Sequence, residues 1–119
     1  MSNIKESLNN LLDLDGALGC AVVDASSGMM LGSAGSGGDL EIAAAGNTEV
    51  VRAIMKTNKA LGVIDEIEDI LITLGKQYHI LRLLPQKPGL FLYYALDHAK
   101  SNLALARRQA QDVGKALTL

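Results

Sequence analysis

At 119 residues, with a formal net charge of -2 and 49% hydrophobic residues, the chain is long enough for one domain with a core and too short for two ordinary ones. The mild acidity argues against a nucleic-acid footprint, as do the few aromatics (Tyr78, Phe91, Tyr93 and Tyr94), which are not interleaved with Lys and Arg. Cys20 is the single cysteine, which excludes an intrachain disulfide or a thiolate cluster and fits a reducing cytosol.

The N-terminal "MSNIKESLNNLL" lacks the basic start and apolar run of a secretory leader. No apolar run approaches the ~20 residues of a membrane span. A single cytoplasmic domain over residues 1–119 is expected. Residues 3–14 predict an amphipathic helix, with Asn3 and Glu6 spaced as a capping box and Ile4, Leu8, Leu11 and Leu12 at helical spacing. Asp15-Gly16 ends it. "ALGCAVVD" then reads as a strand with Leu18, Cys20 and Val22 on one face and Ala17, Gly19, Ala21 and Val23 on the other. Both faces are apolar, so the strand is expected to be central and covered on both sides.

"ASSG" turns the chain, and Met29-Met30-Leu31 opens a second, short strand in a hairpin. The glycine-rich stretch from Gly32 to Asp39 follows and is expected to be a connector. From about Asp39 to Lys59 the pattern is helical, with Leu40, Ala43, Val50, Val51, Ile54 and Met55 apolar; at ~1.5 Å per residue such a helix is roughly 30 Å long. Gly46 inside it costs about 1 kcal/mol relative to alanine, which a close helix crossing or simple tolerance would explain equally. "DILITLG", "YHILRLLP" and "GLFLYYALD", separated by short turns, describe an antiparallel meander. Asp97 is placed to cap a last helix whose Leu103, Ala106, Ala110, Val113 and Leu117 form an apolar stripe. The expected fold is α+β: an α/β/α sandwich around a five-stranded antiparallel sheet, in the order α-β-β-α-β-β-β-α.

Gly32 and Gly37 have the spacing of a phosphate loop, but Gly38 and Asp39 stand where the phosphate-binding Lys and the magnesium-binding hydroxyl belong. An aspartate at a helix N-terminus also fills the anion site with its own carboxylate. The stretch therefore reads as a connector ending in an Asp cap, with a nucleotide- or small-molecule-binding loop as the alternative. His79 and His98 share no ligand spacing, Cys20 alternates with apolar neighbours, and Ser26-Ser27-Gly28 is turn chemistry. Asp65, Glu66, Glu68 and Asp69 lack the spacing of a calcium loop. No catalytic residue, cofactor or metal is expected.

"LNNLLDLDGALGCAVVDASSGMMLGSA", "EIAAAG" and "YYALDHAKSNLALARRQ" together resemble the roadblock (dynein light chain) domain family. The likeness runs from about Ile4 to Leu117 in matching element order. It departs at Ser26-Ser27-Gly28, which replaces an acidic-Gly pair, and in the glycine run. The resemblance implies a roadblock/profilin-like fold, a non-enzymatic dimer with paired third strands and adjacent central helices, and partnership with a small Ras-like GTPase or a related scaffold. It carries structural roles for Gly16, Gly19, Asp24, Gly28, Asn102 and Arg107. Association has independent support: Ile70, Leu71, Ile72, Thr73 and Leu74 contain no Lys, Pro or charge to blunt an edge. The expected dimer surface combines this run with Val51, Ile54 and Met55, and Asn47, Glu49, Arg52 and Lys56 are candidate contacts for the partner.

Overall fold

The computed structural model describes residues 2–36 and 38–119. It has the expected element order: α1 (Ile4–Leu12), β1 (Ala17–Asp24), β2 (Met29–Gly35), α2 (Leu40–Leu61), β3 (Asp69–Thr73), β4 (Gln77–Leu83), β5 (Leu90–Asp97) and α3 (Leu103–Ala116). The five strands form one antiparallel sheet in the order β2-β1-β5-β4-β3. The hairpin β1–β2 occupies one side of the sheet, α2 carries the chain across to the far edge, and the meander returns to set β5 beside β1. Four strand spacings of about 4.8 Å make such a sheet roughly 19 Å wide, a distance that a helix as long as α2 crosses easily.

The two central strands are apolar on both faces because each face supports a separate core. On one side Leu8 and Leu11 of α1 and Ala106, Ala110 and Val113 of α3 meet Cys20, Val22, Ile80, Leu92, Tyr94 and Leu96. On the other, Ala44 and Val51 of α2 meet Ala21, Val23, Leu81, Phe91, Tyr93 and Ala95. The rings of Phe91, Tyr93 and Tyr94 are at most 2% exposed, and each such buried side chain contributes about 2–3 kcal/mol of transfer free energy. Tyr94 also donates its hydroxyl to the Leu11 carbonyl, which satisfies its polar end and ties α1 to the central strand.

Several local expectations are corrected. Asn3 makes no side-chain cap to α1; its amide donates to the Ala116 carbonyl at 2.8 Å and its Oδ1 accepts from Thr118 N at 2.7 Å, clasping the two ends of the described chain. Asp97 caps the turn at Ala99 and Lys100, while α3 is capped by Asn102, whose Oδ1 accepts from Leu105 N at 3.0 Å. Leu18 joins the α2-side core and Ala17 the opposite one, because a register shift between Ala17 and Gly19 against β5 inverts the alternation there.

The glycine stretch is the largest correction. Strand β2 continues through Gly32 to Gly35, pairing Gly32 with Val22 and Ala34 with Cys20, so only the last few residues before α2 form the connector. A Cβ on Gly32 would stand 2.7 Å from Ile4 Cγ2, and one on Gly35 2.8 Å from Leu12 Cδ2. The missing side chains let α1 lie directly on the edge strand. Gly37 lies outside the described residues.

Candidate functional site

Strand β3 ends the sheet on one side. Its register with β4 runs unbroken from Asp69↔Arg82 to Thr73↔Tyr78, so one row of its backbone groups faces outward with neither a bulge nor a proline to interrupt it. Leu74 falls outside this row: it follows the strand, and its N–H donates to Gln77 O at 2.8 Å in the β3–β4 turn. The opposite edge is different. Strand β2 has a register shift opposite Val22 and Val23, and α1 lies against it, so only β3 offers a regular row.

Over the sheet lies α2, started by Asp39, whose Oδ1 accepts from Ile42 N at 3.1 Å, and ended by Gly62 at φ 73°. Ala44, Thr48 and Val51 face the sheet and are buried. Val51 is 2% exposed, so its side chain belongs to the protomer's own core and is not available to a partner. Ile54 is half-buried and Met55 exposed. Arg52 leans toward the β1–β2 hairpin, with Nη2 3.5 Å from Ser26 O and Nη1 3.6 Å from Glu49.

Outward and away from that hairpin, Ile42, Gly46, Val50, Ala53 and Thr57 follow one another at helical spacing, and all are exposed. The strip carries no charge, and Ile42 is 70% exposed. A Cβ at Gly46 would meet no atom within 4 Å beyond its own helix, so nothing within the protomer requires a glycine there. The sequence reading missed this strip. Its signal was the recurrence of uncharged residues on one flank, while Glu49, Arg52 and Lys56 share the other.

Among the candidate partner contacts, Asn47 is half-buried and donates its amide to Ala43 O at 2.9 Å, so it is turned back onto its own helix. Glu49, Arg52 and Lys56 are exposed. The residues assigned structural roles lie in turns, caps and close approaches. Gly16 has φ 84° and its carbonyl accepts from Asp97 N. A Cβ on Gly19 would stand 1.8 Å from Ser36 O. Asp24 Oδ1 accepts from Ser26 N and Oγ at 2.8 and 2.7 Å, and the Ser26 side-chain bond is the main reason its carboxyl titrates below the usual range. Gly28 closes that turn at φ 77°, Asn102 caps α3, and Arg107 reaches Asp69.

The side chains with chemical potential are dispersed. Cys20 is buried, donates to Leu8 O at 3.3 Å, and has its thiol pushed up to about 12 by burial, which removes it as a thiolate nucleophile. His79 is half-buried against Gln77 and Tyr93, and burial lowers its pKa. His98 stacks on Tyr78 at 4.3 Å. Among the described residues no group of three His, Cys, Asp or Glu could hold a metal ion, and no helix is long and apolar enough to cross a membrane.

No family profile matches the sequence, and no curated protein matches it. Solved structures do match. A Roadblock/LC7 domain from Streptomyces avermitilis is 11% identical, with 97% of this chain and 94% of that one covered at a TM-score of 0.84. MglB from Myxococcus xanthus is 19% identical over 94% and 89% of the two chains, with a TM-score of 0.81. The gliding protein MglB from Thermus thermophilus is 17% identical over 96% and 84%, also at 0.81. With so few identities and superposition over nearly the whole length, what is shared is the architecture: the chain has the α+β fold of Roadblock/LC7 domains.

Proposed function

We propose that the chain is a non-catalytic homodimeric interaction module whose paired surface binds a small Ras-like GTPase as its regulator or scaffold. The observation that carries the reading is the juxtaposition of an unblunted β3 edge with an uncharged outer α2 strip that contains a glycine. A second copy related by a two-fold axis satisfies both at once: β3 pairs with its mate, and the two α2 helices cross where Gly46 admits a close backbone approach. The GTPase part rests on the resemblance to the roadblock family, and the fold shared with MglB supports it. A further MglB of this fold, 17% identical to this chain, has a tetrameric arrangement, in keeping with a fold that associates.

The test has two parts. Light scattering behind size exclusion at micromolar concentration should report twice the 12.6 kDa chain mass; a clean monomer removes the dimer. Purified Ras-like GTPases of the host, loaded with GTP or GDP, should then include one that binds the dimer saturably and changes its GTP turnover. Reversing exposed Arg52 and Lys56 to Glu should leave the dimer intact and reduce that binding most at low salt, since rim charges act through association rate.

The alternative of a nucleotide or small-molecule site on Gly32–Asp39 has no observation in its favour. Gly32 and Gly35 are strand residues beneath α1, and Asp39 holds the helix N-terminus with its own carboxylate.

A further inference from the structure

An open cavity of about 410 Å³ lies at one end of the sheet, between the C-terminal half of α2, the α2–β3 connection and the β4–β5 turn. Met55 of α2, Leu83 of the sheet, and Pro85 and Pro88 of the turn give it apolar walls, with the core residues Val51 and Phe91 behind them. The turn side is pre-set. Two prolines fix its backbone, and Gln86 anchors it to α3 by donating to Gly114 O at 2.9 Å. Exposed apolar groups surround the mouth: Met55 is 52% exposed and Val63 43%, and neighbouring Ile64 is 96% exposed. A volume in this range with mainly apolar lining is typical of an occupied site, and clustered exposed apolar groups mark interaction surfaces.

The charges at the rim select the occupant. Lys59 stands on the α2 side. On the connection side Asp65 and Glu66 line the mouth, and Glu68 continues the acidic run toward Arg107. Asp69 is engaged by Arg107, whereas among the described residues no cation lies within ion-pair distance of Asp65, Glu66 or Glu68. At the cavity itself Lys59 therefore faces the carboxylates of Asp65 and Glu66, neither of which is ion-paired among the described residues. We propose that this cavity is a docking site for a peptide segment of another protein that inserts a bulky apolar side chain and carries Lys or Arg next to it. The apolar anchor supplies the burial, and the acidic rim supplies steering and register. The lining includes no residue of β3 or of the outer α2 strip, although Met55, expected on the dimer surface, is part of it, so the proposal does not rest on the dimer.

The probe is a short synthetic peptide with one central Phe flanked by Lys, labelled for fluorescence anisotropy, compared with a twin bearing Glu in place of each Lys. The Lys peptide should bind saturably, at least about tenfold more tightly than its twin, and more weakly as salt rises. Met55→Glu, at an exposed mouth position, should reduce binding by about tenfold or more. The double variant Asp65→Lys/Glu66→Lys should reverse the preference between the twins, since it leaves Lys59 with no opposing carboxylate in the cavity lining. Circular dichroism and light scattering on both variants confirm that fold and oligomeric state are unchanged. Equal binding of the two twins would mean that the cavity takes apolar groups without regard to charge, and would overturn the proposal. So would absence of saturable binding of the Lys peptide, or binding undiminished in a folded Met55→Glu protein.

Discussion

Arg107 on α3 holds Asp69, the first residue of edge strand β3, at two points: Nε donates to Oδ2 at 2.8 Å and Nη2 to Oδ1 at 2.7 Å. The Asp69 side chain is 8% exposed and that of Arg107 46%. The hydrogen bond to Asp69, then its charge, holds the guanidinium pKa above its ordinary value. Solvent screening on the arginine side limits the pair's own contribution to about 1 kcal/mol. Removing only the arginine costs more, because it strands a buried carboxylate. Arg107→Ala should therefore lower unfolding stability by about 2 kcal/mol, and Arg107→Ala/Asp69→Ala should cost less than the sum of the two single changes. Urea denaturation of the four proteins checks the coupling, and strict additivity would show that the grip contributes nothing.

Gly46 separates protomer stability from association. In an open helix position, Gly46→Ala should stabilise the protomer by about 0.5–1 kcal/mol through helix propensity. Gly46→Leu should also be tolerated by the isolated protomer, since a Cβ there has open space, yet drive the proposed dimer toward monomer by blocking the helix crossing. Light scattering on both variants decides it, and a Gly46→Leu protein as dimeric as the wild type would place the helix contact elsewhere.

At Gly19 the constraint is internal. A Cβ there would fall 1.8 Å from the Ser36 carbonyl oxygen, a backbone atom that cannot rotate aside. Gly19→Ala should cost about 3 kcal/mol or prevent folding, as overpacking against backbone does. Gly75→Ala is the control, because a Cβ there would meet nothing within 4 Å. Thermal unfolding of the two variants should differ accordingly, and similar losses would mean that the Gly19 contact relaxes freely.

Burial lowers the pKa of His79 below its ordinary 6.5. Between the folded pKa and 6.5 the unfolded chain binds more protons at this site than the folded one, so stability rises with pH through that window. The His79 contribution is therefore present above the unfolded pKa and lost as pH falls toward the folded one. His79→Gln should flatten this part of the stability profile. Denaturant midpoints measured from about pH 7 to about pH 5 on both proteins check it; parallel profiles would assign the acid loss to other groups.

Calorimetry with ATP and with GTP, each with magnesium, should show no heat above dilution. The expectation follows from Gly38 and Asp39 at the Lys and hydroxyl positions and from the capping carboxylate of Asp39. Saturable micromolar binding would revive the glycine stretch as a site.

Local periodicity determined most of the architecture. Alternation in "GLFLYYALD" assigned Leu92, Tyr94 and Leu96 to one core and Phe91, Tyr93 and Ala95 to the other, because a strand sorts side chains by parity alone. The stripe Ala106, Ala110 and Val113 likewise fixed the buried face of α3. Parity failed at Leu18, where a register shift depends on the partner strand β5, and cap assignment failed at Asn3 and Asp97, whose partners are chosen by neighbouring turns and by the C-terminal segment. What the glycines are for was also invisible in one dimension. Gly32 makes room for α1, an element far away in sequence, and Gly35 is held by its φ of 76° and by the Leu18 carbonyl as well as by α1. Only the tertiary structure decided that Val51 turns inward while Ile42 and Val50 remain outside, and that Arg107 reaches Asp69 across the fold. A sequence records how apolar a helix is and at what period, but which flank stays uncovered depends on where the rest of the chain has been laid.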